Sequence, residues 1–201
     1  MMDNKIKKEI LKNQDKILSS LNPESLEVYR FLKSEYSKGD IIKNHVFKFT
    51  FRSFYRIDNA KFSNKLKDKY FELLSKKEDN LGIILSELHR IPNLKGLNCI
   101  HFSFATKLLH TLDNNNPIYD TEVSRVLHIT TIKKGTKEVK IKSCEEKYLK
   151  LKEIHESLLK DKEIQKLISR FRKNFNVKPE HISDVKVLDF IVWSLGKLKK
   201  K

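Results

Sequence analysis

The chain has little of what most recognisable chemical motifs are built from. Two cysteines in 201 residues, Cys99 and Cys144, stand far apart and lack C-x-x-C spacing. Neither a disulfide framework nor a metal knuckle can be read from them, and a reducing compartment fits. Five glycines leave no room for a Walker or Rossmann phosphate loop, so nucleotide hydrolysis and dinucleotide chemistry are not expected, and neither is any cofactor. Long apolar runs are missing too. The longest, such as Phe190 to Trp193, are too short to cross a bilayer, and the N-terminal MMDNKIKKEILKNQ carries charges where a secretory signal needs an apolar stretch. A soluble, cytoplasmic protein with no membrane partner is the expectation, nucleoid-associated if the host is a prokaryote; its oligomeric state cannot be read.

Positive charge, by contrast, is abundant. Forty-two Lys+Arg against 26 Asp+Glu give a formal net charge of +16, a field that favours polyanions and makes association salt-dependent. Nucleic acid is the indicated partner. A competing explanation is that a Lys-, Asn- and Ile-rich chain reflects an A/T-biased genome, because most of the charge is lysine on solvated helix faces and arginines are few.

Apolar spacing reads as helix almost throughout. Ile6, Ile10, Leu11, Ile17, Leu18 and Leu21 recur at near-helical intervals, and Asn22-Pro23-Glu24 looks like a cap and a first-turn proline for a helix carrying Leu26, Tyr29, Leu32 and Tyr36. Residues 47–55 are ambiguous: Phe47, Phe49 and Phe51 alternate as in a strand, while Phe47, Phe51, Phe54 and Tyr55 share a helical face. Helix is favoured because no partner strand lies nearby. Further helices are expected from Ser63 to Lys76, from Leu81 to Leu88, and around Tyr148, Leu151, Ile154, Leu158 and Leu159, with Ile164 to Phe171 a continuation or successor broken at Pro179. Thr130 to Ser143, with Lys134-Gly135 and alternating Val139 and Ile141, reads as a hairpin or, preferably, a loop. Ser183 or Asp184 can cap a last helix with Val187, Leu188, Ile191, Val192 and Leu195 in the core and Trp193 anchoring the two chain ends. The fold class is all-α, as a single unit over 1–201 or as two lobes, 1–80 with 145–201 and 81–130.

The stretch from Ile91 to Ile129 concentrates the features that can carry chemistry. It holds a bend at Pro92 and Gly96, a helix entered through Ser103-Phe104-Ala105, and Pro117-Ile118-Tyr119-Asp120 before Thr121-Glu122-Val123-Ser124-Arg125. An Asp at a helix start faces free backbone N–H groups and the positive end of the helix dipole, both of which favour the ionised carboxylate. The same placement also describes a plain helix cap. His89, His101, His110 and His128 cluster around this stretch, but no H-E-x-x-H, H-x-E or paired-acid spacing accompanies them, so no metal is expected.

That order of features resembles the core of the helix-hairpin-helix DNA glycosylase superfamily, the group of endonuclease III and 8-oxoguanine glycosylase. The resemblance covers roughly a fifth of the chain. It implies a helix-hairpin-helix fold, a duplex DNA partner with an extruded base, and hydrolysis of an N-glycosidic bond in base excision repair, with Asp120 as the carboxylate that stabilises oxocarbenium-like charge and activates water. It places Lys95, Gly96, Asn98, Ser103, Lys107 and Arg125 at the DNA, and Tyr119 and Phe102 at the base pocket. Ser103 stands where bifunctional members carry a lysine, which points to a monofunctional enzyme, and no cysteine after Cys144 could hold the iron–sulfur loop of some relatives. The turn departs from the family's Leu-Pro-Gly-Val-Gly in having one glycine and extra residues, so a plain interhelical turn stays an equal reading. Arg52 and Arg56, on one expected helix face, can meet phosphate, or Arg56 can pair with Asp58. The rival function is a non-catalytic basic helical module that binds nucleic acid or a partner protein.

Overall fold

The computed structural model describes residues 2–131 and 134–200. Among them there are eleven α-helices and no strand, so the chain is all-α. They run α1 (Met2–Lys12), α2 (Gln14–Ser20), α3 (Pro23–Ser37), α4 (His45–Phe54), α5 (Asn64–Ser75), α6 (Leu81–His89), α7 (Phe102–Leu112), α8 (Thr121–Leu127), α9 (Lys137–Leu159), α10 (Lys162–Phe175) and α11 (Asp184–Leu198). None of the described helices is long and apolar enough to cross a membrane.

The chain divides into two compact units, one of Met1–Pro23, Asn114–Thr131 and Glu146–Lys201, the other of Glu24–Asp113 and Ile132–Glu145. The lobes drawn from the sequence differ: residues 24–80 group with 81–113, and 114–131 joins the two chain ends. Apolar periodicity says which residues are buried, not which other helix buries them.

In the first unit α11 is the hub. Its Val187, Leu188, Ile191, Val192 and Leu195 are buried, and it packs against α1, α2, α8 and α10. Each neighbour contributes one apolar face: Ile6 and Ile10 from α1, Ile17 and Leu18 from α2, Val123, Val126 and Leu127 from α8, Leu167, Ile168 and Phe171 from α10. The chain ends meet through polar links as well. The Ser20 and Ser194 hydroxyls are hydrogen-bonded, Ser194 Oγ also donates to the Ile17 carbonyl at 3.3 Å, and Lys199 pairs with Glu9 at 2.8 Å. Trp193, on the helix that packs against α1 and α2, is half-buried with the Lys197 ammonium 4.3 Å from its ring centre.

The core of the second unit is aromatic. Phe47, Phe51, Tyr70 and Phe71 interlock, with Phe51 and Phe71 edge to face at 5.6 Å. Segment 47–55 is helical through Phe54, entered by the Asn44 side chain accepting the Phe47 N–H, which leaves Phe49 exposed. α5, α6 and α7 pack on one another and bury Leu66, Leu74, Ile84, Leu85, Leu88, Ala105 and Leu108.

Two boundaries correct the sequence reading. The connection expected to be a loop over 130–143 becomes helix at Lys137; Gly135 turns the chain at φ +113°, and Thr136 starts α9 by accepting the Val139 and Lys140 N–H groups. Ile132 and Lys133 of that expected loop lie outside the described residues. α10 stops at Phe175, ahead of Pro179, because Asn176 takes the left-handed conformation (φ 49°) and closes the helix end.

Helix α11 lies close against α8 at Gly196. A methyl group added there would meet the Glu122 carbonyl oxygen at 2.5 Å. A mid-helix glycine costs helix stability by itself, so this one is required by the close approach. Gly196→Ala is expected to destabilise the protein by roughly 1–3 kcal/mol through overpacking against backbone, measured as a lowered urea midpoint with unchanged slope.

Candidate functional site

Asp120 starts α8 in extended conformation, and its Oδ1 accepts the N–H groups of Glu122 and Val123, both at 2.9 Å. The carboxylate is half-buried, set where two donors and the helix dipole stabilise negative charge. The approach to Asp120 is held from below. Ile118 N–H donates to both oxygens of Asp189 at 3.2 and 3.3 Å, and His155 Nε2 lies 3.1 Å from Asp189 Oδ1. His155 Nδ1 faces the Leu151 carbonyl at 3.1 Å. Asp189 and His155 are both almost wholly enclosed, at 3 and 2 % exposure. On the far side, Tyr119 Oη and Ser124 Oγ donate to the Ile129 carbonyl at 3.1 and 2.7 Å.

Lys186, buried at 5 % exposure, completes this cluster. Its ammonium lies 4.6 Å above the Phe190 ring. Burial pushes its pKa down, and the charges of Asp189 and Asp120 oppose that shift. One cation is therefore shared electrostatically by a buried carboxylate and the candidate catalytic one. Lys186, Asp189 and His155 went unremarked in the sequence, although Lys186 and Asp189 sit three apart inside the apolar face of the last helix, where charge is rare unless partnered.

Arg125 is half-buried in the same unit. Its guanidinium pairs with Glu122 and donates to the Gly196 carbonyl at 2.9 Å. Its donors tie α8 to α11, a structural engagement that the expected DNA contact did not include.

Lys95, Gly96, Asn98, Phe102, Ser103 and Lys107 belong to the other unit. The turn expected to grip phosphate closes on itself. Asn93 Oδ1 accepts the Lys95 and Leu97 N–H groups at 2.8 and 3.2 Å, and the Asn93 carbonyl accepts the Gly96 N–H at 2.9 Å. Asn98 Nδ2 donates to the His89 carbonyl at 2.7 Å. Gly96 does use the left-handed region, φ 72°, but the amides a phosphate would need are occupied by the loop's own acceptors. The Lys95 side chain is exposed.

At the start of α7 the expectations shift further. Phe102 is buried at 4 % exposure, so it is core and not a pocket wall. Lys107 is buried as well, donating to Ser103 Oγ at 2.9 Å with its ammonium 4.7 Å from the Phe104 ring centre. Neither a solvated nor a phosphate-contacting lysine describes it, because the i, i+4 step back to Ser103 points it into aromatic packing. Arg52 bonds Asp58 at 3.2 Å, whereas Arg56 lies beyond the end of α4 in left-handed conformation. The two arginines therefore do not share a helix face, and Asp58 pairs with the other one.

The four histidines are in four settings. His110 Nε2 meets the Tyr29 hydroxyl at 3.0 Å inside the core, His101 stacks edge-on against Phe62 at 4.6 Å, His89 is half-buried, and His128 is exposed at the end of α8. Among the described residues no three His, Cys, Asp or Glu side chains converge as for a metal.

Comparison with protein-family models, curated proteins and solved structures finds no match to this chain.

Burial pushes the His101 pKa down to about 4. The unfolded chain takes up this proton near pH 6.5 and the folded one only near 4, so folding stability falls as pH drops through that window and levels off below it. The loss is on the order of 3 kcal/mol. Urea unfolding at pH 7.5 and pH 4.5 should show it, and His101→Phe should remove most of the difference. Asp189→Ala strips His155, Ile118 N–H and Lys186 of a buried acceptor or counter-charge, and is expected to cost roughly 3–5 kcal/mol in the same measurement.

Proposed function

We propose that this protein binds duplex DNA and hydrolyses the N-glycosidic bond of an extruded, damaged or modified base, as the helix-hairpin-helix glycosylases it resembles in sequence do. The observation that carries the proposal is the Asp120 carboxylate, half-exposed, accepting two backbone N–H groups and braced through Ile118 by the buried Asp189. In this reading the C1′–N bond breaks and its electron pair leaves on the base nitrogen. Asp120 stabilises the positive charge developing at C1′ and takes a proton from the water whose oxygen forms the new bond. The base nitrogen is protonated by solvent. Ser103, hydrogen-bonded to Lys107, offers no amine at the position of the family's lyase lysine, so the reaction ends at an abasic site.

A second reading, a non-catalytic nucleic-acid-binding module with Asp120 acting as a cap, is favoured by the self-closed Asn93 turn and the buried Phe102. The two part under substitution. Asp120→Asn keeps an acceptor for the α8 amides, and under glycosylase action it should lower abasic-site formation at least a hundredfold with duplex affinity unchanged. A panel of duplexes bearing uracil, 8-oxoguanine, alkylated and hypermodified bases supplies the assay. Wild-type protein that releases none of them leaves the binding module as the function.

A further inference from the structure

The first unit carries a depression of about 460 Å³ lined by Lys5, Lys8, Glu9, Lys12, His128 and Lys199. α1 buries Ile6 and Ile10, so the helical period turns Lys5, Lys8 and Lys12, at i, i+3 and i+7, toward one outward face. At 1.5 Å per residue that row is roughly 10 Å long. The single lining carboxylate, Glu9, is already engaged by Lys199 at 2.8 Å, which holds that ammonium at the rim. His128 enters from the end of α8, turned outward by its left-handed backbone (φ 53°). Among the described residues Lys5, Lys8, Lys12 and His128 have no carboxylate partner.

Like charges held this close repel one another, and an anion relieves the repulsion. The lining also restricts the anion. It has no Phe, Tyr or Trp ring to stack a nucleobase, its one ring being the His128 imidazole, and no apolar side chain to enter a lipid surface. It is an open row of cations whose length matches the axial rise of about three nucleotides of one strand.

We propose that this depression is a backbone-binding site for double-stranded DNA, taking successive phosphodiesters along α1. The inference rests on the nucleic-acid partner proposed above but not on base release. It also places a phosphate grip in this unit, on residues outside the bend at Gly96.

The test is binding of the full chain to an undamaged duplex oligonucleotide across a sodium chloride series, by fluorescence anisotropy. The variant K5Q/K8Q/K12Q should lower the slope of log affinity against log salt by about 2–3. A control variant, K43Q/K65Q/K77Q, removes the same net charge from exposed lysines of the other unit and should keep the wild-type slope. Both should retain the wild-type unfolding midpoint. An unchanged slope in the first variant, or an equal drop in both, overturns the site. Tripolyphosphate is the second probe: if the first variant loses tripolyphosphate but keeps its duplex slope, the depression is a small-anion site and the proposal fails. Wild-type protein that binds no duplex overturns this site and the DNA partner together, whereas a failure of base release alone leaves the slope result standing.

Discussion

The first unit depends on one buried carboxylate. Asp189 sits among the apolar residues of α11, where an unpaired charge would be prohibitively costly. It is tolerated because three groups answer it: His155 from α9, the Ile118 N–H from the segment leading into α8, and the charge of Lys186 one turn earlier on its own helix. These contacts join three parts of the chain that are far apart in sequence. They also fix the backbone two residues ahead of Asp120. The position of the candidate catalytic group is thus set by a charge that never reaches solvent.

The two segments on which the proposed function draws are built on opposite physical terms. At Asp120 the side chain answers the free amides of a helix start, and the carboxylate stays half-exposed. At the bend Asn93 answers the Lys95, Gly96 and Leu97 amides, which leaves the exposed Lys95 side chain rather than these N–H groups to meet a phosphate. Both arrangements satisfy backbone donors with a short polar side chain. They differ in what remains. Asp120 brings net charge to the surface of its unit, and Asn93 brings rigidity to a loop whose exposed side chains include Leu94, Lys95 and Leu97.

Positive charge is likewise unevenly arranged. Several lysines are paired with an acid three or four residues earlier in the chain, such as Lys38 with Glu35, Lys76 with Glu72 and Lys166 with Glu163. Such pairs contribute little to stability and mute the local field. The outward face of α1 is an exception among the described residues, because the acid that lines it, Glu9, is engaged by Lys199. Composition therefore sets the net positive charge of the whole chain, while pairing decides which surface keeps it unneutralised.

The sequence by itself determined the all-helical class, most helix positions and the main apolar faces, because these follow from a 3.6-residue period and from local caps such as Ser63, Ser183 and Asp120. Residues 47–55 could be read as helix only by the lack of a strand partner, and the start of α9 was hidden because lysines and β-branched residues there imitate a strand. Only the tertiary structure decided which helices share a core, that Phe102 and Lys107 point inward, that Arg125 serves α11, and that Lys186, Asp189 and His155 meet beneath Asp120. Those outcomes depend on contacts between residues distant in the chain, where a hydrogen bond or a buried charge is settled by geometry in three dimensions and leaves no period or motif along one.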